Sequence, residues 1–278
     1  MSRNRDGSPA GWAGAQAAMV GIGVMTLYPL YFIVITAFKT REEYLDNQFL
    51  PPSNPTLQNF HDAFRDGQLL TWVANSVVIT IASVAVAAVV SALAAYPLAR
   101  FRFPGRLPFI ALNVVLMVVP PVVLIVPLFL FFVNLGLVNS RLAVVIIYVG
   151  LLIPFSIYLL VNFFATIPRS LEEAARIDGA GQLRTLWSVI VPLSAPAIVT
   201  VVVVNAVWVW NELLIALVFL QDNDARTLTA GLTFFQGRFL SNEPLVMTGA
   251  LIATVPMLVL YIAAQRFFIR GLTAGFGK

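Results

Sequence analysis

The sequence predicts an all-α integral membrane protein with six transmembrane helices. Composition is the first reason: 59% of the 278 residues are hydrophobic and only 11% are charged, against about 25% charged in soluble domains. Mean hydropathy is +0.88, more apolar surface than a water-soluble fold of this length hides. The second reason is that six nearly uncharged runs each reach the roughly 20 residues that cross a bilayer core. The third is their pattern. They lack the period-2 alternation of barrel strands, and in lipid only helices or closed barrels satisfy every backbone polar group.

The elements follow in order. Residues 1–14 form a short basic tail carrying Arg3 and Arg5, and 15–38 are the first span. A basic start before an apolar run also suits a signal peptide, but this run is too long for a signal core and no small-x-small cleavage site follows it. Residues 39–71 make an aqueous loop, with Pro51, Pro52 and Pro55 and then an amphipathic stretch through Phe60 and Phe64. The core, 72–269, holds five spans: 72–98, 108–135, 142–164, 193–220 and 245–265. Residues 221–244 are polar, with Asp222, Asp224 and Glu243, and 270–278 form the tail. Pro120, Pro121 and Pro127 interrupt the third span, Pro154 the fourth and Pro256 the sixth. Prolines bend helices, which suits a transport cavity, yet they are also tolerated in membrane helices without any such purpose. Trp72 falls where an interfacial anchor is common, and His61, the sole histidine, falls in a solvated loop.

Charge sets the orientation. With the N-terminus cytoplasmic, Arg3, Arg5, Arg100, Arg102, Arg106, Arg169, Arg176, Arg184, Arg266, Arg270 and Lys278 lie inside, and Lys39, Arg41, Arg65, Arg141, Arg226 and Arg238 outside. The positive-inside rule favours that arrangement, with both termini cytoplasmic. The same distribution argues against nucleic-acid binding despite a pI near 9.7, because the basic residues sit in short groups between apolar runs. No cysteine is present, which excludes disulfides and thiolate metal sites.

The segment 168–192, between the fourth and fifth spans, is predicted to be a cytoplasmic helix and turn. Ser170 followed by Glu173 has the spacing of a capping box, and Gly179 suits a left-handed helix end, giving a helix over about 171–178. Ala174 and Ala175 allow close approach, while Leu171 and Ile177 offer apolar contact. Such a helix either docks a partner or merely holds two spans together. Glu212 is the one charged residue inside a predicted span, a functional candidate by default. Helical spacing lines it up with Asn205 and Trp208, and Asn211 precedes it. That stripe fits either sugar recognition by hydroxyl-binding groups and an indole, or polar glue between helices.

Several of these segments match one family. Glu173-Ala174-Ala175, then Gly179, then Val189-Ile190-Val191-Pro192 resembles the EAA loop of ABC importer permeases. Asn75-Ser76, Tyr96, Ala99-Arg100-Phe101, Phe103-Pro104-Gly105-Arg106, Trp210-Asn211-Glu212 and the tail from Gln265 through Gly275 are similar to the carbohydrate (MalG-type) permeases. Departures are Pro97, where that family often has alanine, and the ending Gly275-Phe276-Gly277-Lys278. The resemblance implies a type I importer permease fold of the MetI/MalG-like kind, importing a sugar by alternating access. It implies that Glu172, Glu173, Ala174, Ala175, Asp178, Gly179 and Ala180 form a coupling helix on a cytoplasmic ATPase. It further implies a second permease, two ATPase copies and an extracytoplasmic sugar-binding protein. The sequence has no phosphate-binding Gly-x-x-x-x-Gly-Lys loop, so no cofactor is expected on this chain, and ATP and Mg would bind the partner ATPase. Asn205, Trp208, Asn211 and Glu212 remain the pathway candidates. Another solute, such as glycerol phosphate or an amino sugar, or proton coupling through Glu212, is the alternative.

Overall fold

A computed structural model describes residues 9–65, 68–238 and 242–275. Of the expected tails, residues 1–8 and 276–278 therefore lie outside the described residues, as do the side chains beyond Gln265. The chain divides into two compact units, 1–66 with 234–252, and 67–233 with 253–278.

The first unit is built on helix α1 (Pro9–Ala37), which is apolar around its whole circumference and largely exposed. Two short helices follow, α2 (Arg41–Asp46) and α3 (Gln58–Arg65). Thr40 caps α2 by accepting from the Glu43 N–H at 3.2 Å. The end of α1 is tied down by neighbouring side chains. Asn59 Nδ2 donates to the carbonyls of Ala37 (2.9 Å) and Lys39 (2.7 Å). Lys39, counted above as a loop charge, is fully buried and donates to the Asn47 carbonyl at 2.6 Å.

The second unit centres on α4 (Gln68–Arg100), which packs most extensively against α7 (Arg141–Thr166) and then against α11 (Ala195–Asn211). Ala87, Ser91, Ala92 and Ala95 are buried along α4, the small residues that let membrane helices approach closely. The remaining elements are α5 (Arg106–Val118), α6 (Pro121–Asn134), α8 (Arg169–Ile177), α9 (Gln182–Thr185), a π turn at Leu186–Ile190, α10 (Val191–Leu193), α12 (Leu214–Phe219), α13 (Leu228–Arg238) and α14 (Glu243–Gly275). The described residues contain four helices long and apolar enough to span, or six if each sharply bent pair counts as one span.

Two expected spans are corrected. The run 108–135 is α5 and α6 meeting at 96°. Pro121 forces Pro120 into extended backbone and starts a new helix, because the residue before proline is pushed out of the α region. The run 193–220 is broken twice. A bend of 80° at Ser194 separates Gln182–Leu193 from α11, with Pro192 and Pro196 on either side. A second break at Glu212 separates α11 from α12. The sixth span also runs farther than its apolar core, from Glu243 to Gly275. By contrast Pro97, Pro154 and Pro256 sit inside continuous helices.

Candidate functional site

The loop 168–192 folds as α8, a tight turn and the helical segment 182–193. Helix α8 starts two residues earlier than expected: its N-cap is Pro168, which has no side-chain acceptor, and Ser170 lies within the helix. The capping box is therefore not used, and the chain enters the helix through Pro168, whose ring fixes φ, here −57°. The other end forms as expected. Gly179 takes φ +77°, the Ala180 N–H bonds the Ala175 carbonyl at 2.9 Å and the Gly179 N–H bonds that of Arg176 at 3.0 Å. This pair of bonds is a Schellman closure, which glycine enters without steric cost.

Helix α8 has two faces. Glu173, Ala174 and Ile177 point outward, and Ile177 is 87% exposed. Leu183 and Trp187 extend exposed apolar surface beyond the turn. Asp178 and Gly179 are exposed as well, while Ala175 and Ala180 are half-buried. Glu172 corrects the sequence reading: it is buried, and its carboxylate forms an ion pair with the Arg100 guanidinium at the end of α4. Tyr96 donates its hydroxyl to the other Glu172 oxygen at 3.2 Å. Arg100 Nη2 donates to the Ile167 carbonyl at 2.9 Å, just before α8. The Phe101 and Tyr96 rings meet in a T-shaped arrangement, 5.7 Å between centroids. Glu172 is thus an internal anchor rather than part of the outward face. Only the sequence position of Arg100, at the end of a span, hinted at this pairing.

The membrane stripe also turns inward. Asn205 is buried and donates to Ser156 Oγ of α7 at 2.8 Å. Trp208 packs edge-on against Tyr148 of α7 at 5.7 Å between ring centroids. Glu212 accepts the Tyr148 hydroxyl at 2.7 Å and the backbone N–H groups of Ile215 and Ala216 at 3.0–3.2 Å. Glu212 therefore caps α12 from the break, because a carboxylate stabilises the free N–H groups at a helix start. Asn211 is exposed and donates to the Val207 carbonyl one turn back, at 2.8 Å. The helical stripe expected through Glu212 is in part a set of bonds from α11 to α7. A separate apolar cavity of about 400 Å³ lies on the other side of α11, lined by Val77, Thr80, Val84, Val202, Ala206, Trp210 and Pro256.

At the opposite end of α4, Trp72 is buried rather than an interfacial anchor. Its indole N–H bonds the Asn223 carbonyl at 2.8 Å. The ring lies so close to Gly231 that an added Cβ there would collide with it. Asn75 Nδ2 donates to the carbonyls of Asp224 (2.8 Å) and Arg226 (2.9 Å), and its Oδ1 accepts from Arg141 at 2.9 Å. Ser76 Oγ accepts the Leu228 N–H at 2.7 Å. This clasp, which sequence reasoning missed, fixes the turn 221–228.

Comparison with known proteins fits these features. Residues 87–273 match the family model of the binding-protein-dependent transport system inner membrane component. The chain is 35% identical over 248 residues to the melibiose/raffinose/stachyose import permease protein MelC of Bacillus subtilis (strain 168), covering 89% of this chain and 90% of that one. It is 32% identical over 258 residues to the trehalose/maltose transport system permease protein MalG of Thermococcus litoralis, covering 91% and 92%. A bacterial ABC transporter involved in the import of the acidic polysaccharide alginate contains a chain of similar structure. The TM-score is 0.83 at 26% identity, over 96% of this chain and all of that one. The chain belongs to the family of inner membrane permease components of binding-protein-dependent ABC importers.

Proposed function

We propose that the chain is one permease half of an ATP-driven importer that carries a mono- or oligosaccharide, or a sugar-like solute, into the cytoplasm. The observation that carries this reading is α8. It is a short helix with an exposed face of Glu173, Ala174 and Ile177, closed by the Gly179 turn and continued by exposed Leu183. A face of one acid, one small residue and one apolar side chain outside the spans fits a groove on a partner, and the motif it carries is the one a cytoplasmic ATPase grips in the resembled permeases. ATP is then bound and hydrolysed on that partner. The working core is 72–269, with 15–38 and the loop 39–71 ahead of it and both termini in the cytoplasm, as the arginine distribution supports. A second permease completes the pathway, and an extracytoplasmic binding protein delivers the sugar. The sugar class follows from the transport names of the relatives. Asn211, with Trp208 and Glu212 beside it, remains the pathway candidate of this half, whereas Asn205 is already committed to Ser156.

The test is uptake by the complete importer in vesicles, with labelled raffinose, maltose and diacetylchitobiose as probes. Uptake of at least one that requires both ATP and the binding protein is expected. Uptake that persists without the ATPase and collapses with the proton gradient overturns the reading.

A further inference from the structure

We infer that Arg100, Glu172 and Tyr96 are positioning residues: they fasten α8 to α4 so that the two move as a single lever during transport. This rests on the reading that α8 docks on an ATPase.

The pair is an unexpected thing to find in this place. Arg100 and Glu172 keep 4% and 6% of their side chains exposed, and among the described residues theirs is the one buried ion pair. Burying two charges costs several kcal/mol per ion before their attraction is counted, and an apolar pair of similar volume often packs as well or better. An apolar cluster is available around it, with Ala95, Leu160, Phe164 and Leu186 buried nearby. Stability alone therefore does not call for the pair. Apolar packing lets one helix slide on another, whereas directed bonds fix position and register. Here the attachment is made at three points: the ion pair, the Tyr96 hydroxyl on the second carboxylate oxygen, and the Arg100 bond to the Ile167 carbonyl. All three join the last two turns of α4 to the entry and first turn of α8. The other end of α4, about 40 Å from Arg100 at 1.5 Å per residue, holds the turn 221–228 through Trp72, Asn75 and Ser76. One continuous helix is thus bonded at one end to the docking helix and at the other to a loop at the opposite end of the core.

The chain lacks cysteine, so paired labels introduced into it have no background from the chain itself, and partner chains are used in cysteine-free form. The test places spin labels at Leu93→Cys on α4 and Arg176→Cys on α8 in the complete importer. Their separation is measured nucleotide-free and trapped with ATP and vanadate. With the native pair present, one narrow distance distribution is expected in both states. In Arg100→Met/Glu172→Met, which keeps the site apolar and leaves no lone charge, the distribution broadens and differs between states. Solute carried per ATP hydrolysed then falls roughly two- to thirtyfold, read with whichever probe sugar the uptake panel selects. Arg100→Lys, which keeps the charge but loses the planar fork, is expected to fall between, and it serves alone if the double variant does not fold. A separation that already changes between states with the native pair overturns the proposal. So do variants that keep both the narrow distribution and the native transport per ATP. Failure of the docking reading is separate: it appears as loss of contact between α8 and the ATPase, which the intrachain distance does not report.

Discussion

Two buried-facing carboxylates, one at each working end of the second unit, show how differently this chain treats acids. Glu172, on the helix of the 168–192 loop, is neutralised by a full opposite charge and a tyrosine hydroxyl. Glu212, within the fifth apolar run, has a tyrosine hydroxyl and two backbone N–H groups instead. Each side chain was a candidate for contact with something outside the chain, and each makes bonds that organise the chain itself. Glu172 fixes where a surface helix sits. Glu212 decides where a membrane helix stops and a new one starts. The difference lies in what removal leaves behind: a lone buried cation at the first site, a free hydroxyl and uncapped N–H groups at the second.

The largest expected effect breaks the first site. Glu172→Ala strands the Arg100 guanidinium in an apolar cluster and should destabilise the second unit by about 3–5 kcal/mol, seen as a lower unfolding temperature in detergent. Replacing both partners by methionine should recover most of that loss. If the single and double variants unfold together, the pair is not balanced as described. Next comes the clasp at the other end of α4, where Gly231→Ala drives a methyl into the Trp72 ring. Overpacking of this kind costs about 1–3 kcal/mol, and Trp72→Leu should restore part of the stability by making room; no restoration would mean that the contact is not limiting.

Glu212→Ala should cost about 0.5–2 kcal/mol through the lost cap of α12, while Glu212→Gln keeps an acceptor oxygen and should cost less. Hydrogen exchange at Ile215 and Ala216 separates these: faster exchange is expected in the alanine variant and near-native exchange in the glutamine one. If Glu212→Gln abolishes uptake while exchange stays native, Glu212 has a charge-dependent role in the pathway beyond its cap. The smallest effect is Tyr148→Phe, which removes one hydrogen bond worth about 0.5–1.5 kcal/mol but retains the edge-on contact with Trp208.

Much of the architecture was legible because bilayer physics is strict. Runs such as 72–98 and 142–164 emerge as α4 and α7 nearly residue for residue, since length and hydropathy decide them. The breaks were harder. Pro154 and Pro256 leave their helices continuous, whereas Pro120-Pro121 creates a 96° turn, and a single proline looks alike in all of them. What differs is pairing: two adjacent prolines remove two donors and push the preceding residue out of the helix. At Glu212 the helix stops for a local reason, since the side chain offers the N–H groups of 215 and 216 a better acceptor than continuing the helix would. The Gly179 closure was legible because only the glycine there tolerates a positive φ. The Arg100–Glu172 pair was not, because its partners lie 72 positions apart and both look like ordinary surface charges at a membrane boundary. Likewise Trp72 looks like an interfacial anchor until the turn 221–228 folds back over it.

The central claim is that the outward face of α8 meets a nucleotide-binding partner, and cross-linking tests it most directly. Ile177→Cys supplies a thiol in a chain that has no other, at a position 87% exposed. Assembled with its ATPase and treated with a short thiol-to-amine reagent, this variant should link to the ATPase in high yield, with Arg65→Cys in the loop 39–71 giving none. Equal linking from both positions, or none from Ile177→Cys in a complex that still hydrolyses ATP and transports, would contradict the account.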